Sequence, residues 1–295
     1  DTTSLGLFGD FVDNDKERNE DGTNFKASIS FTPNDDALVY AQWAEGFRLG
    51  NVQLPIPLSL CDVEDVNGDG NPDQDGVLDG TNAAFTDSFS SDSVSSFELG
   101  GKFTLLENRM QFNTAVFRTI WKDIPISSRS PTCFFSLVVN AGEAVSQGFE
   151  VELVYQATDS LVVNVGGSYS NTELSIDTPE LDSVAGDRLP ASPDYNISLG
   201  LQYDYLLAGH EAYLRSDYAY VGGFYNNFQQ SGFQLGSYGQ LNASAGVRFN
   251  NFTFSIFGKN LTNQDDLTWI GNFESNTPAY RLRPVTVGVN LGYRF

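Results

Sequence analysis

From Pro284 to Phe295 every second residue is apolar: Val285, Val287, Val289, Leu291, Tyr293 and Phe295 fall on one face of a strand, and Thr286, Gly288, Asn290, Gly292 and Arg294 on the other. A single strand of this kind fits a soluble sheet. The same alternation recurs upstream, with small polar residues on the second face. Phe97, Leu99, Gly101, Phe103 and Leu105 oppose Glu98, Gly100, Lys102 and Thr104, and Ile197, Leu199, Leu201, Tyr203 and Tyr205 oppose Ser198, Gly200, Gln202 and Asp204. Phe25 to Phe31, Phe149 to Tyr155, Leu161 to Ser170 and Leu241 to Phe249 repeat the design. A sheet that is apolar on one side and polar on the other separates lipid from water, which predicts an all-β chain arranged as an antiparallel transmembrane β-barrel.

Turn chemistry supports the same architecture. Short turns at 34–36, 107–109, 158–160, 206–210 and 250–251 alternate with long loops at about 51–92, 124–140, 173–192, 223–237 and 262–281. Short turns therefore gather at one rim and long loops at the other, the asymmetry of outer-membrane barrels. A soluble sandwich explains neither this segregation nor the polar second face. About 11 strands are expected, or 12 if Leu5–Val12 is one, in a single barrel region over 1–295. The alternation of Met110–Asp123 is mixed, and the pattern does not assign its faces.

Composition closes off other classes. No run of about 18 apolar residues is present to cross a bilayer as a helix. A net charge of -22 argues against a nucleic-acid partner, which needs a basic surface. No charged-then-apolar leader precedes the first strands, so an export signal is expected to have been removed or to lie outside this sequence. Catalysis by a Ser/His pair, as in enzymes built on small outer-membrane barrels, would need a histidine near the reacting bond. The one histidine, His210, falls at a short turn, so no enzyme is expected.

Three local features are candidate sites. The stretch from Asp65 to Asp79 places oxygen ligands at Asp65, Asn67, Asp69, Asn71, Asp73, Asp75 and Asp79, with Gly68 and Gly70 permitting a tight wrap. Six to eight hard oxygens suit calcium. The twelfth place of this EF-hand-like loop is Gly76 where a bidentate Glu is usual, so a solvated acidic loop is the competing reading; no cofactor is otherwise required. Cys61 and Cys133 lie in long loops at the same rim, and a disulfide between them stands against two unrelated thiols. Tyr218, Tyr220, Phe224, Tyr225, Phe228 and Phe233 crowd a strand end and its loop. They read either as an interfacial aromatic girdle or as a substrate-stacking surface. Inward polar residues such as Glu98, Lys102, Glu150, Glu152, Arg215, Asp217, Arg248, Lys259 and Arg294 suit a wet interior and name no ligand.

Four stretches, Tyr40–Asn51, Asn140–Glu150, Gly258–Asn263 and Arg283–Phe295, resemble in order the C-terminal part of the barrel of TonB-dependent outer-membrane receptors. The last of them is also similar to an outer-membrane assembly signal. The resemblance implies TonB-driven uptake of a scarce nutrient, such as an iron chelate, vitamin B12 or an oligosaccharide, in the Gram-negative outer membrane with the long loops extracellular. It also implies partners: outer-membrane lipid, the TonB complex, and an N-terminal plug with further strands that this sequence does not contain. Such a barrel has about 22 strands, and unpaired edges in lipid are costly. The expectation is therefore a portion of a longer receptor. The alternative is a self-contained smaller barrel acting as a passive pore or a calcium-dependent surface-binding protein.

Overall fold

The computed structural model describes residues 19–52, 88–129, 136–140, 142–228, 230, 232–271 and 279–295. In chain order, β1 (Lys26–Asn34) and β2 (Ala37–Arg48) form a hairpin, and β3 (Asn51–Val52) pairs with β4 (Ser88–Phe89). Strands β5 (Asp92–Leu105) and β6 (Met110–Lys122) follow, with β7 (Pro125–Arg129) paired to β8 (Ser136–Asn140). Next come β9 (Glu143–Gln156), β10 (Leu161–Leu174), a 3-10 turn at Pro179–Leu181, β11 (Tyr195–Leu207) and β12 (His210–Val221). The short pair β13 (Phe224–Tyr225) and β14 (Gln234–Leu235) precedes β15 (Tyr238–Phe249) and β16 (Phe252–Lys259). Finally β17 (Leu267–Ile270) pairs with β18 (Ala279–Arg281), and β19 (Thr286–Tyr293) closes the sequence of strands.

Eleven of these strands make one antiparallel sheet in the order β1-β2-β5-β6-β9-β10-β11-β12-β15-β16-β19, a meander in which each long strand pairs with the next. Among the described residues, strands β1 and β19 are its two edges. The expected number of strands is met, and Leu5–Val12 lies outside the described residues. The two-rim arrangement is also present. At the short-turn rim Ala208 and Gly209 both take positive φ (51 and 85), the backbone a two-residue hairpin requires. At the other rim the expected loops are in part ordered ribbons, because β3–β4, β7–β8, β13–β14 and β17–β18 continue hairpin pairing above the main sheet.

Residues directly opposite each other on paired strands share a face, and this assigns what the pattern of Met110–Asp123 left open. Asn113 lies between Lys102 and Glu152, so Gln111, Asn113, Ala115, Phe117, Thr119 and Trp121 join the polar face. The alternation is blurred because Phe117 and Trp121 sit on that face while Thr114 and Arg118 sit on the apolar one. One depression is lined both by Tyr40 of β2 and by Ala219 of β12, strands far apart in the sheet. The sheet must therefore curve, with its polar face inside.

The outward face is apolar and exposed, with Leu291 at 75%. An apolar surface this extensive needs a lipid cover. Aromatic pairs mark its limits. Towards the long-loop rim stack Trp43–Phe97, Phe149–Tyr169 and Tyr195–Tyr220, and towards the short-turn rim Phe103–Phe112, Tyr203–Tyr205 and Phe252–Tyr293. Phe97 to Phe103 and Tyr195 to Tyr203 correspond to roughly 20 to 26 Å of strand at about 3.3 Å per residue. Tilted strands of that length cross the hydrocarbon layer between two interfacial girdles.

Candidate functional site: the polar concave face and its outer rim

The concave face carries a network of partnered polar side chains. The Tyr40 hydroxyl donates to Glu98 Oε1 at 2.6 Å, and Asn113 Nδ2 to Glu152 Oε2 at 3.1 Å. Tyr40 reaches Glu98 by lying across Gly100, where an added Cβ would come within 2.5 Å of the ring. Arg215 donates through Nε and a terminal nitrogen to both oxygens of Asp217 (2.9 and 2.6 Å) and to Gln202 Oε1 (3.3 Å), while Gln202 donates to Asp204 (3.2 Å). Arg248 pairs with Glu211 at 2.8 Å nearer the short turns. An open depression among these side chains, lined by Lys102, Asn113, Glu150, Glu152, Ser168 and Asn196, has a volume of about 580 Å³. Paired charges of both signs keep such a passage wet while presenting fixed hydrogen-bonding groups to whatever enters it.

Beyond the Trp43–Phe97 pair the outward face mixes Glu45, Ser95, Ser93 and Lys122 with Phe47 and Ile120, so polar and charged groups enter it and the strands here have left the lipid layer. On the concave side at this level stands a cluster the sequence did not reveal. Arg48 Nε donates to both oxygens of Asp92 (3.1 and 2.9 Å), its terminal nitrogen also contacts Asp92, and its backbone N–H donates to Asp92 Oδ1 at 3.1 Å. Trp121 Nε1–H donates to Asp92 Oδ2 at 2.6 Å, and the Arg48 guanidinium lies 5.3 Å from the Trp121 ring centre. Asp92 is 3% exposed. Burial alone would push its carboxyl up, but the hydrogen bonds from Arg48 and Trp121 and the guanidinium charge together hold it below the usual carboxylate range.

The rim above is built around Ile124, Ile126, Val139, Ala144 and Leu174, with Trp121, Leu181, Leu189 and Phe228 packed against them. Asn140 ties it together: its Oδ1 accepts from Ser90 N–H (2.5 Å), and its Nδ2 donates to the carbonyls of Ser90 and Asp123 (2.8 Å each). Gly142 follows at φ 81, where a Cβ would approach Thr178 Oγ1 to 2.8 Å. The Gly258–Asn263 stretch has a similar role. Asn260, 3% exposed and at φ 51, donates to the carbonyls of Gln264 and Arg283 (2.7 Å each) and accepts from Gln264 N–H (3.0 Å). Asn263 Oδ1 accepts from Val285 N–H at 3.2 Å. Two of the four quoted stretches thus fasten loops to the barrel. The signal of either staple in the sequence was its place in a stretch of family resemblance, which did not reveal the carbonyls it would bind.

The six aromatic candidates are not brought to one place. Tyr218 and Tyr220 face outward, Tyr220 stacking on Tyr195 with ring centres 5.8 Å apart. Phe224 and Tyr225 form β13, Phe228 packs against the rim core, and Phe233 is exposed beside β14. His210 lies at the short-turn rim, its ring 4.2 Å from that of Phe249. The loop carrying Asp65, Asn67, Asp69, Asn71, Asp73, Asp75 and Asp79 lies outside the described residues, as do Cys61 and Cys133.

Comparison with known proteins gives a consistent result. The sequence model of the family described as "TonB dependent receptor-like, beta-barrel" matches residues 2–261. A probable TonB-dependent siderophore receptor, PiuA of Acinetobacter baumannii, is 24% identical over 159 residues, 54% of this chain and 18% of its own length. Among solved structures, the ferric yersiniabactin uptake receptor FyuA of Yersinia pestis superposes with a TM-score of 0.72 at 20% identity, over 92% of this chain and 37% of that one. The copper transporter OprC gives 0.62 at 15% identity, over 92% and 39%. The chain thus spans well under half the length of the proteins it resembles.

Proposed function

The chain belongs to the β-barrel family of TonB-dependent receptors, and on that premise we propose that it forms part of the wall of an outer-membrane receptor that takes up a ferric chelate by TonB-driven transport. The observation that carries this reading is the match of the family over residues 2–261, joined to a curved sheet that is apolar outside and hydrogen-bonded and polar inside. Ferric chelates are favoured over vitamin B12 or an oligosaccharide because the PiuA relative is named a siderophore receptor and FyuA a ferric yersiniabactin uptake receptor. In this reading the long-loop rim faces outward from the cell, and a plug and further strands come from parts of the receptor outside this sequence.

The concave polar face would line the passage, and the rim hairpins would meet the ligand first. Phe224, Tyr225 and Phe233, on or beside the β13–β14 ribbon, are the aromatic residues of the six proposed to stack on a chelate. The acidic loop from Asp65 to Asp79 is proposed to bind calcium, and Cys61 and Cys133 to form a disulfide. Calcium-dependent protection of that loop from proteolysis and a free-thiol assay without reductant test these two assignments.

The main experiment is growth of a receptor-deletion strain under iron limitation, complemented by the full-length receptor, with uptake of radiolabelled iron supplied as defined chelates. Energy-dependent uptake restored by the receptor, and lost when TonB is deleted, supports the proposal. Restored uptake of vitamin B12 or an oligosaccharide, with no effect on any iron chelate, would overturn the substrate class. Solute flux that persists without TonB would favour a passive pore.

A further inference from the structure

The outward face is not uniformly ridged. Two adjacent cross-strand rows lie on it. In one, Leu161, Tyr203, Leu214, Ala245 and Ile256 stand opposite each other from β10 to β16. In the row above, Leu201 is followed by Ser216, Ala243 and Gly258, then by Val287. Three consecutive small residues leave the backbone of Arg215, Ser244 and Phe257 as the floor of a trough of about 580 Å³ with an almost wholly apolar lining. Leu261 folds over Gly258, where a Cβ would come within 2.6 Å of its methyl, and forms part of the upper wall.

The position of the trough fixes what covers it. It starts at Tyr203 of the short-turn girdle and ends below the long-loop girdle on the lipid-facing side, continuous with the surface that hydrocarbon already wets. Its ends are unequal in height. Leu161 is the first residue of β10, directly after a short turn, whereas Ile256 and Gly258 stand further up β16 from the turn at Asn250 and Asn251. The trough therefore opens at the short-turn rim and climbs across four strand spacings. At about 4.8 Å each this is roughly 19 Å, comparable with one leaflet's half of the ~30 Å hydrocarbon core.

We infer that this trough holds one acyl chain of a glycerophospholipid from the leaflet at the short-turn rim, with the glycerol end near Leu161 and Tyr203 and the methyl end near Ile256 and Gly258. A chain seated there replaces the contacts that Ser216, Ala243 and Gly258 do not make with one another, and it fills a space that tumbling lipid would otherwise cover poorly. The inference rests on the outward face meeting lipid and does not depend on which nutrient the receptor carries.

The test uses the full-length receptor in phosphatidylethanolamine vesicles whose acyl chains carry a diazirine, either close to the glycerol or at the methyl end. Peptides are mapped after irradiation. Near-glycerol probes should mark Leu161 and Tyr203, and methyl-end probes should mark Ala243 to Ala245 and Ile256 to Gly258, several-fold above the outward residues Val116 and Val151. Ala243→Phe fills the trough and should abolish the enrichment; Ser216→Leu does so from the neighbouring strand should the first variant fail to assemble. Even labelling over the outward face, or enrichment unchanged by both substitutions, overturns the inference. So does reversed order of the two probes, which would assign a lipid of the opposite leaflet, or an altered oligomeric state of Ala243→Phe, which would assign a second copy. Labelling at no outward position would overturn the membrane reading itself.

Discussion

Leu199 lies midway along the wall and is 39% exposed, whereas Leu174 lies at the long-loop end of β10 and is 1% exposed. Both alternate with polar neighbours in the sequence. Leu199 is satisfied by solvent-phase hydrocarbon, one residue deep, with no protein layer behind it. Leu174 is satisfied by Ile124, Ile126, Val139 and Ala144, drawn from separate segments of chain. The wall therefore takes its stability from the strand ladder and the bilayer, and the rim from a small protein core. A substitution that harms one region should spare the other.

The largest effect is expected in the rim. Leu174→Ala should remove about 2–5 kcal/mol of local stability, the range for leucine truncation in a packed core. The loss should appear as faster proteolytic nicking between Ser175 and Asp194 and faster amide exchange in β7 and β8, while the barrel still migrates as a folded species in detergent gels. Collapse of the whole barrel would show that rim and wall are one cooperative unit.

The wall answers to charge. Leu199→Arg, midway between Tyr195 and Tyr203, should cost about 2–4 kcal/mol in denaturant unfolding from vesicles. Ser198→Arg, one residue away but on the concave face, should cost less than about 1 kcal/mol. Equal costs would mean that the two faces meet the same medium.

This contrast also explains what the sequence could convey. The wall was legible because a period of two repeats in every strand, and a residue's face follows from its neighbours along the chain. The faces of Met110–Lys122 were not, because Phe117 and Trp121 turn inward to Glu98, Gly148 and the Asp92 cluster, and only the pairing with β5 and β9 reveals that. Arg48 and Asp92 are 44 residues apart and meet through strand register. Asn140 and Asn260 occur in stretches that signalled family resemblance, yet their work depends on carbonyls of Ser90 and Arg283, far off in sequence. Periodic environments can be read from a sequence. Single contacts between loops cannot.

The Asn260 staple should be intermediate in effect. Asn260→Ala leaves the carbonyls of Gln264 and Arg283 and the Gln264 N–H without this partner; Gln264 is half-buried and Arg283 exposed, so water replaces part of these bonds and the total cost should be about 1–3 kcal/mol. Amide exchange should quicken at Gln264 and Val285 and in β17–β18, with little change in β9 or β10. If β9 and β10 also lose protection, the staple supports the wall and the separation drawn above fails.

The smallest effect is the one set by pH. Asp92 has its carboxyl held below the usual carboxylate range in the folded rim. Its contribution is therefore fully present above the unfolded-state value of about 3.9 and is lost as pH falls through the lower folded value. Arg48 stays charged throughout, so acid removes only one side of the pair. Acid titration should thus expose Trp121 to a fluorescence quencher below pH ~3.9, and Asp92→Asn should show raised exposure already at neutral pH, with no further change on acidification at this site. The strand ladder of the wall meets this carboxylate only at its upper end, through the Arg48 backbone N–H, so circular dichroism of the β-sheet should stay constant over the same range. A sheet signal that falls together with Trp121 exposure would tie the wall to a rim carboxylate, and the division between the two regions would then have to be redrawn below Arg48 and Asp92.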